Sequence, residues 1–182
     1  MYSAIPLIGL GMGGLIAGFL VLNDTYFEFS PLFTAILLVV LHFIMTGGLH
    51  MDGVVDTGDA YFSYRDRKKR LEILDDPRIG AFGAMTLVLF VLLKIGVLYE
   101  LLLRDLPLLF VICIPFIARQ AVLLVFVTTN TSKETGIASY FKKMVNERML
   151  IWITIIYIVA IVALAFVYEQ WILLLLIVAL LV

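Results

Sequence analysis

Five long apolar runs, Ile5–Leu22, Pro31–Met45, Ala84–Leu103, Pro107–Val127 and Leu150–Tyr168, dictate what this chain can fold into. A stretch of about 20 mostly apolar residues spans the ~30 Å hydrocarbon core of a bilayer as a helix, and a helix satisfies its own backbone polar groups there. A sixth run starts at Trp171 and reaches Val182. At about 1.5 Å per residue it rises only about 18 Å, so it reads as a partial span, with the chain cut off inside it. Composition agrees: 63% of the residues are hydrophobic and 15% charged, against about 45–50% and about 25% in soluble domains. The expectation is an all-α, polytopic integral membrane helical bundle, five full spans plus a partial sixth, forming one transmembrane domain over residues 1–182.

Lysine and arginine orient such a bundle, because cytoplasmic loops carry their excess. Arg65, Arg67, Lys68, Lys69, Arg70 and Arg78 lie in the loop at about 46–83, and Lys133, Lys142, Lys143 and Arg148 in the loop at about 128–149. The links at 23–30 and 104–106 hold only Arg104. Both long loops are therefore expected in the cytoplasm. The lone Cys113 excludes an internal disulfide framework and sits in an apolar run, where a small buried hydrophobe is expected. No cleavable signal is legible, since the first run lacks a basic flank and is glycine-rich.

Three features could mislead. Gly9, Gly11 and Gly14 in "GLGMGG" fit a dinucleotide-binding fingerprint, but that motif needs a preceding strand. Inside a span, small residues let helices approach closely, and Gly14 and Gly18 add a small-xxx-small pair. His42, in the second run, reads as a hydrogen-bonded interior residue. The basic run Asp66–Arg70 could suggest nucleic acid, yet orientation by positive charge explains it; holding an anionic substrate near the membrane surface is a secondary role. No nucleic-acid partner is expected, and the lipid bilayer is.

The segment "GGLHMDGVVDTGDAYFSYRDRKKR" (Gly47–Arg70) is chemically different from its surroundings. Asp52, Asp56 and Asp59 stand at i, i+4 and i+7, within about 60° of arc on a helix. Like charges so placed repel, and a hard divalent cation between them removes the repulsion; Mg²⁺ is typically held by one or two carboxylates together with phosphate oxygens. A solvated acidic face is the competing reading. It is weakened by Gly47, Gly48, Gly53 and Gly58, which lower helix propensity by about 1 kcal/mol each and point to close backbone or ligand approach. His50 lies about 160° round the helix from Asp52, either at the helix start or toward a different partner. It is an acid/base, a hydrogen-bond donor to phosphate or a structural donor.

A second cluster follows in "LDDPRIGAFG" (Leu74–Gly83). Pro77 disfavours helix at Asp76, so a turn is expected. Arg78 offers a fork suited to phosphate, and Gly80 and Gly83 permit close approach at the start of the third span. Asp76, returning beside the first carboxylates, would complete a site for two metals and a diphosphate.

Together these two motifs resemble the cobalamin 5′-phosphate synthase family, the adenosylcobinamide-GDP ribazoletransferases. His50, Asp52, Gly53, Asp56 and Asp59 match its His-x-Asp-Gly-x-x-Asp-x-x-Asp, and Asp76, Arg78, Gly80 and Gly83 match its second segment; Asp75 and Pro77 depart from that segment's commonest wording. The resemblance covers about Pro6–Tyr140, without the family's N- and C-terminal ends. It implies an Mg²⁺-dependent enzyme of the prokaryotic inner (cytoplasmic) membrane, with its active site facing the cytoplasm. A hydroxyl of ribazole or ribazole phosphate would attack adenosylcobinamide-GDP at the cobinamide-side phosphorus and release GMP, completing the cobalamin nucleotide loop. Catalytic roles fall to His50, Asp52, Asp56, Asp59, Asp76 and Arg78, metal binding to Asp52, Asp56, Asp59 and Asp76, and substrate contact to Gly53, Gly80 and Gly83.

Three other classes are alternatives. A CDP-alcohol phosphotransferase shares part of the aspartate logic but carries a longer Gly-x-x-x-Asp-x-x-x-Asp tail, which this chain lacks. A prenyltransferase would favour Asn-Asp-x-x-Asp. A divalent-cation transporter would place carboxylates near the midplane of its spans, whereas these cluster at a span end. Arg119, about 12 Å into the fourth span, is expected to face a cavity open to the cytoplasm and hold the anionic substrate, with Lys94 a weaker candidate; pairing with Glu100 or backbone carbonyls is the structural alternative.

Overall fold

The structure, a computed structural model, describes residues 5–104, 107–129 and 147–167. Most of those residues are helical, with no strand among them. The helices are α1 (Ile5–Leu22), continued by a π-helical turn (Asn23–Phe27), α2 (Pro31–Thr46), α3 (Leu49–Phe62), α4 (Arg67–Ile73), α5 (Ala81–Leu102), α6 (Leu108–Thr128) and α7 (Glu147–Val167).

The all-α expectation holds, and the span count is coarser than expected. Ile5–Phe27, Ala81–Leu102 and Leu108–Val125 are long and apolar enough to cross a membrane. α2 has 16 residues, about 24 Å, too short to cross by itself, and makes a crossing length only together with α3, from which a bend of 95° separates it. The described residues thus offer three spans, or four if the bent pair is one. The fifth expected span coincides with α7 as far as Val167, whose described apolar stretch, Ile151–Ala160, is shorter. The partial sixth, and most of the second long loop, lie outside the described residues.

The chain divides into two compact units. One is built from α1 up to Phe19 with α6 and α7. Here α1 lies directly on the α6 backbone: a Cβ on Gly9 would stand 2.6 Å from the Pro115 carbonyl oxygen, and one on Gly13 2.6 Å from Ile112 Cα. The glycine-rich run is therefore a packing surface within a helix, as expected, but the small-xxx-small pair is Gly9 and Gly13. A Cβ at Gly14 or Gly18 would meet nothing within 4 Å, because those positions turn to another face of α1. Phe110, Cys113, Phe116 and Ile117 form the buried core, packed by Tyr157 and Ile158. Phe116 meets Tyr157 edge-on at 5.3 Å between ring centres. Cys113 is the buried hydrophobe expected of it.

The other unit runs from Leu20 through α5. Buried Asn23 closes the turn between α1 and α2: its side-chain oxygen accepts from the Phe29 amide at 3.2 Å, and its carbonyl from Glu28 at 2.8 Å. Ser30 then caps α2, with Pro31 in its first turn. α2 ends where Gly47 and Gly48 adopt φ of 60° and 78°, the left-handed region that only glycine enters without strain. That double reversal produces the bend and starts α3, whose Met51 and Asp52 amides donate to the Gly48 carbonyl. α2 and α3 both pack on α5. α4 begins at Asp66, which accepts from the Lys69 amide at 2.8 Å, and the basic run is tied down locally by Lys69–Glu72 at 2.9 Å and by Arg70 over the Tyr61 ring at 6.0 Å. With three aspartates in fourteen residues, we read α3 as lying outside the spanning segments.

Candidate active site

The aspartates stand on one helix, as their spacing required. Asp52 is in the first turn of α3, where an acidic side chain meets the positive end of the helix dipole. His50 is the second residue of α3, at the helix start beside the glycine reversal, and is exposed. Gly53 is also exposed, with open space where a Cβ would stand.

α3 comes exceptionally close to α5 at Gly58, where a Cβ would stand 2.5 Å from Thr86 Oγ1 and 2.8 Å from Thr86 Cβ. One residue on, Asp59 reaches across to the start of α5. Its two oxygens accept from the Gly80 amide at 2.7 Å and the Gly83 amide at 2.8 Å. These are the N-cap and third positions of α5, which has no side-chain cap of its own at Gly80. A Cβ at either glycine would run into the Asp59 carboxylate. The first motif is thereby fastened to the second across 21 and 24 residues of sequence.

Pro77 holds Asp76 out of helix, and the segment between α4 and α5 is the expected turn. Arg78 does present a fork, and in this structure the fork closes on Asp76: Nε donates at 2.9 Å, Nη2 at 2.7 Å and the Arg78 amide at 3.1 Å. These hydrogen bonds hold the Asp76 carboxyl down at about 2. The pair is solvent-exposed, where such contacts are worth little stability. It is instead a pre-formed, oriented guanidinium next to the α5 cap.

Asp56 behaves differently. Burial, then the charges of Asp52 and Asp59, push its carboxyl above the ordinary 3.8. Asp56 thus stands in the field of both neighbouring carboxylates, a field that a cation would relieve. Their oxygens are the donor type of a hard divalent ion, and Mg²⁺ needs only one or two of them before phosphate oxygens and water complete its shell. Among the described residues no three His, Cys, Asp or Glu side chains converge on one metal position. Asp52 and Asp56, about one turn apart on α3, have the donor chemistry that Mg²⁺ takes.

Arg119 belongs to the first unit, in mid-α6. It is half-buried and donates from Nη2 to Met12 Sδ at 3.4 Å. Glu100, its expected alternative partner, lies 3.8 Å from Arg104. Lys94 is half-buried in α5. Thr86 was missed from sequence, although a β-branched residue facing a glycine is a recurrent close-contact pair. So was the cap by Asp59, whose sequence signal is an acidic residue with Gly-x-x-Gly at the start of an uncapped helix.

The model of the cobalamin-5-phosphate synthase family matches residues 1–182. The chain belongs to that family. It is 37% identical over 152 residues to the adenosylcobinamide-GDP ribazoletransferase of Geobacillus kaustophilus (strain HTA426), covering 84% of this chain and 58% of that protein. It is 37% identical over 159 residues to the enzyme of that name from Clostridioides difficile (strain 630), covering 87% and 60%. The chain therefore spans about three-fifths of the length of these cobalamin-5-phosphate synthase relatives. No solved structure matches it. The family supports the ribazoletransferase resemblance over the phosphotransferase, prenyltransferase and transporter alternatives.

Proposed function

We propose that this chain carries the catalytic aspartate face of an adenosylcobinamide-GDP ribazoletransferase. A hydroxyl of ribazole or ribazole phosphate attacks the cobinamide-side phosphorus of adenosylcobinamide-GDP; the new P–O bond forms, the bond to GMP breaks, and the hydroxyl proton passes to a base. The observation that supports this most is the tie from Asp59 to Gly80 and Gly83, which holds the α3 carboxylates and the Arg78 turn in one unit. We place the site at the cytoplasmic face of a prokaryotic inner membrane, at the end of a bundle of apolar spanning helices.

Phosphoryl transfer asks a protein for alignment and charge stabilisation more than covalent chemistry. Asp52 and Asp56 would hold Mg²⁺, which when bound neutralises charge on the diphosphate. Arg78 has a fork geometry suited to two phosphate oxygens; exchanging Asp76 for a phosphate keeps its hydrogen-bond count unchanged. Asp76 holds that guanidinium oriented until the exchange. His50, exposed at the start of α3, would accept the hydroxyl proton or donate to a phosphate oxygen. Gly53 leaves room for substrate against the helix.

The reading is tested with membranes containing the protein, adenosylcobinamide-GDP and ribazole phosphate, with and without Mg²⁺. GMP release that requires Mg²⁺ supports it; no GMP release under either condition removes it.

A further inference from the structure

We infer that Asp59 is a positioning residue: it caps α5 from α3, and the metal falls to Asp52 and Asp56 alone. This rests on the site reading above and divides its three aspartates by role. The first four amides of a helix have no partner within it. α5 starts at a glycine, which offers no side chain to cap them, yet Gly83 is buried. Asp59 supplies acceptors for two of these four, the Gly80 and Gly83 amides, at 2.7 and 2.8 Å. A capping box satisfies the N-cap and third amides with two side chains of the same helix; here a single carboxylate from a neighbouring helix serves both. Its charge also faces the positive end of the α5 dipole.

The glycines give a second, independent argument. Substrate approach would account for small residues at 80 and 83 only if their outer sides faced open space. Instead, the space a Cβ would fill at each is taken by the Asp59 carboxylate, and at Gly83 also by Val55 Cγ1 at 2.9 Å. Gly-x-x-Gly is thus clearance for the cap. Asp59, with one oxygen on each amide, has its carboxylate plane fixed toward α5. By holding Gly80, it fixes the turn that carries Arg78 two residues earlier.

The test compares Asp59→Asn, Gly83→Ala and Asp52→Asn in the full chain in lipid nanodiscs. Hydrogen exchange is read over the segment at 80–84, Mn²⁺ affinity by electron paramagnetic resonance, and transfer by kcat and KM. An asparagine offers one acceptor and turns a donor on the second amide. Asp59→Asn should speed exchange at 80–84 at least tenfold and lower kcat, with Mn²⁺ affinity within twofold of wild type. Gly83→Ala, which keeps every carboxylate, should do the same, and the double variant should be no worse than the worse single one. Asp52→Asn should leave exchange unchanged and weaken Mn²⁺ at least tenfold. The inference is overturned if Asp59→Asn weakens Mn²⁺ as much as Asp52→Asn does, or if exchange at 80–84 does not respond to Asp59→Asn or Gly83→Ala. If wild type transfers nothing, the functional reading falls, while exchange and Mn²⁺ affinity still decide the role of Asp59.

Discussion

Replacing Gly58 by alanine probes the contact on which the site is built. The added Cβ would stand 2.5 Å from Thr86 Oγ1, 2.8 Å from its Cβ and 3.1 Å from its Cγ2. Thr86 is β-branched and therefore stiff in a helix, and its hydroxyl donates to the Phe82 carbonyl at 2.7 Å, so it cannot swing aside cheaply. Restoring an ordinary contact requires α3 and α5 to part by about 0.6–1 Å at this point, and overpacking of this kind costs about 1–3 kcal/mol. Alanine also gains about 1 kcal/mol of helix propensity over glycine, so the net loss is about 0–2 kcal/mol. Gly53→Ala, on the same helix with nothing within 4 Å, should show the propensity gain alone. The difference between the two variants, about 1–3 kcal/mol, isolates the clash. The same parting would stretch the Asp59 hydrogen bonds from 2.7 and 2.8 Å to or beyond the range in which they hold. Denaturant unfolding in mixed micelles reads the stabilities. A Gly58→Ala variant as stable as Gly53→Ala would refute the close approach.

Gly53→Ala should lose transfer while gaining stability, because its open side is reserved for substrate; unchanged kcat/KM would remove Gly53 from the site. The raised Asp56 carboxyl makes a contribution that favours folding at low pH and is lost as pH rises through the raised value. At neutral pH without divalent cations, Asp56→Asn should therefore unfold at higher temperature than wild type, and added Mg²⁺ should stabilise wild type more than the variant. The Asp76–Arg78 contribution has the opposite sign: present above the ordinary 3.8 and lost as pH falls through about 2, so a rate profile from about pH 5 to 9 should show no inflection from Asp76. Arg78→Lys should stay impaired in transfer, since an ammonium lacks the fork; wild-type kcat/KM would mean that only loop charge matters. Gly13→Ala should destabilise by about 1–3 kcal/mol because backbone at Ile112 blocks it, whereas Gly14→Ala should not, as read by thermal unfolding in detergent.

Much of this arrangement is legible in the sequence because its causes are local. Apolar runs force helices, Ser30–Pro31 starts one, and Gly47–Gly48 ends it. The i, i+4, i+7 spacing places three aspartates on one face, and Pro77 imposes the turn before α5. What stays hidden depends on contacts distant in sequence. Periodicity does not say which face of a glycine-rich helix meets a neighbour, so Gly9 and Gly13 could not be told from Gly14 and Gly18. An aspartate in a metal-like series looks the same whether it faces a cation or a pair of amides 21 and 24 residues away. Nor does hydropathy register a 95° bend after a 16-residue helix, which is why Pro31–Met45 read as a full span.

The reaction proposed for this aspartate face is the joining of a ribazole substrate to adenosylcobinamide-GDP. Its most direct test is the stoichiometry of products, by mass spectrometry, from the chain in nanodiscs with Mg²⁺ and both substrates. One GMP per joined corrinoid is expected, with no GMP when the ribazole substrate is withheld and neither product from an Asp52→Asn, Asp56→Asn double variant. Release of cobinamide phosphate with transfer of GMP to ribazole, or full activity in the double variant, would contradict it.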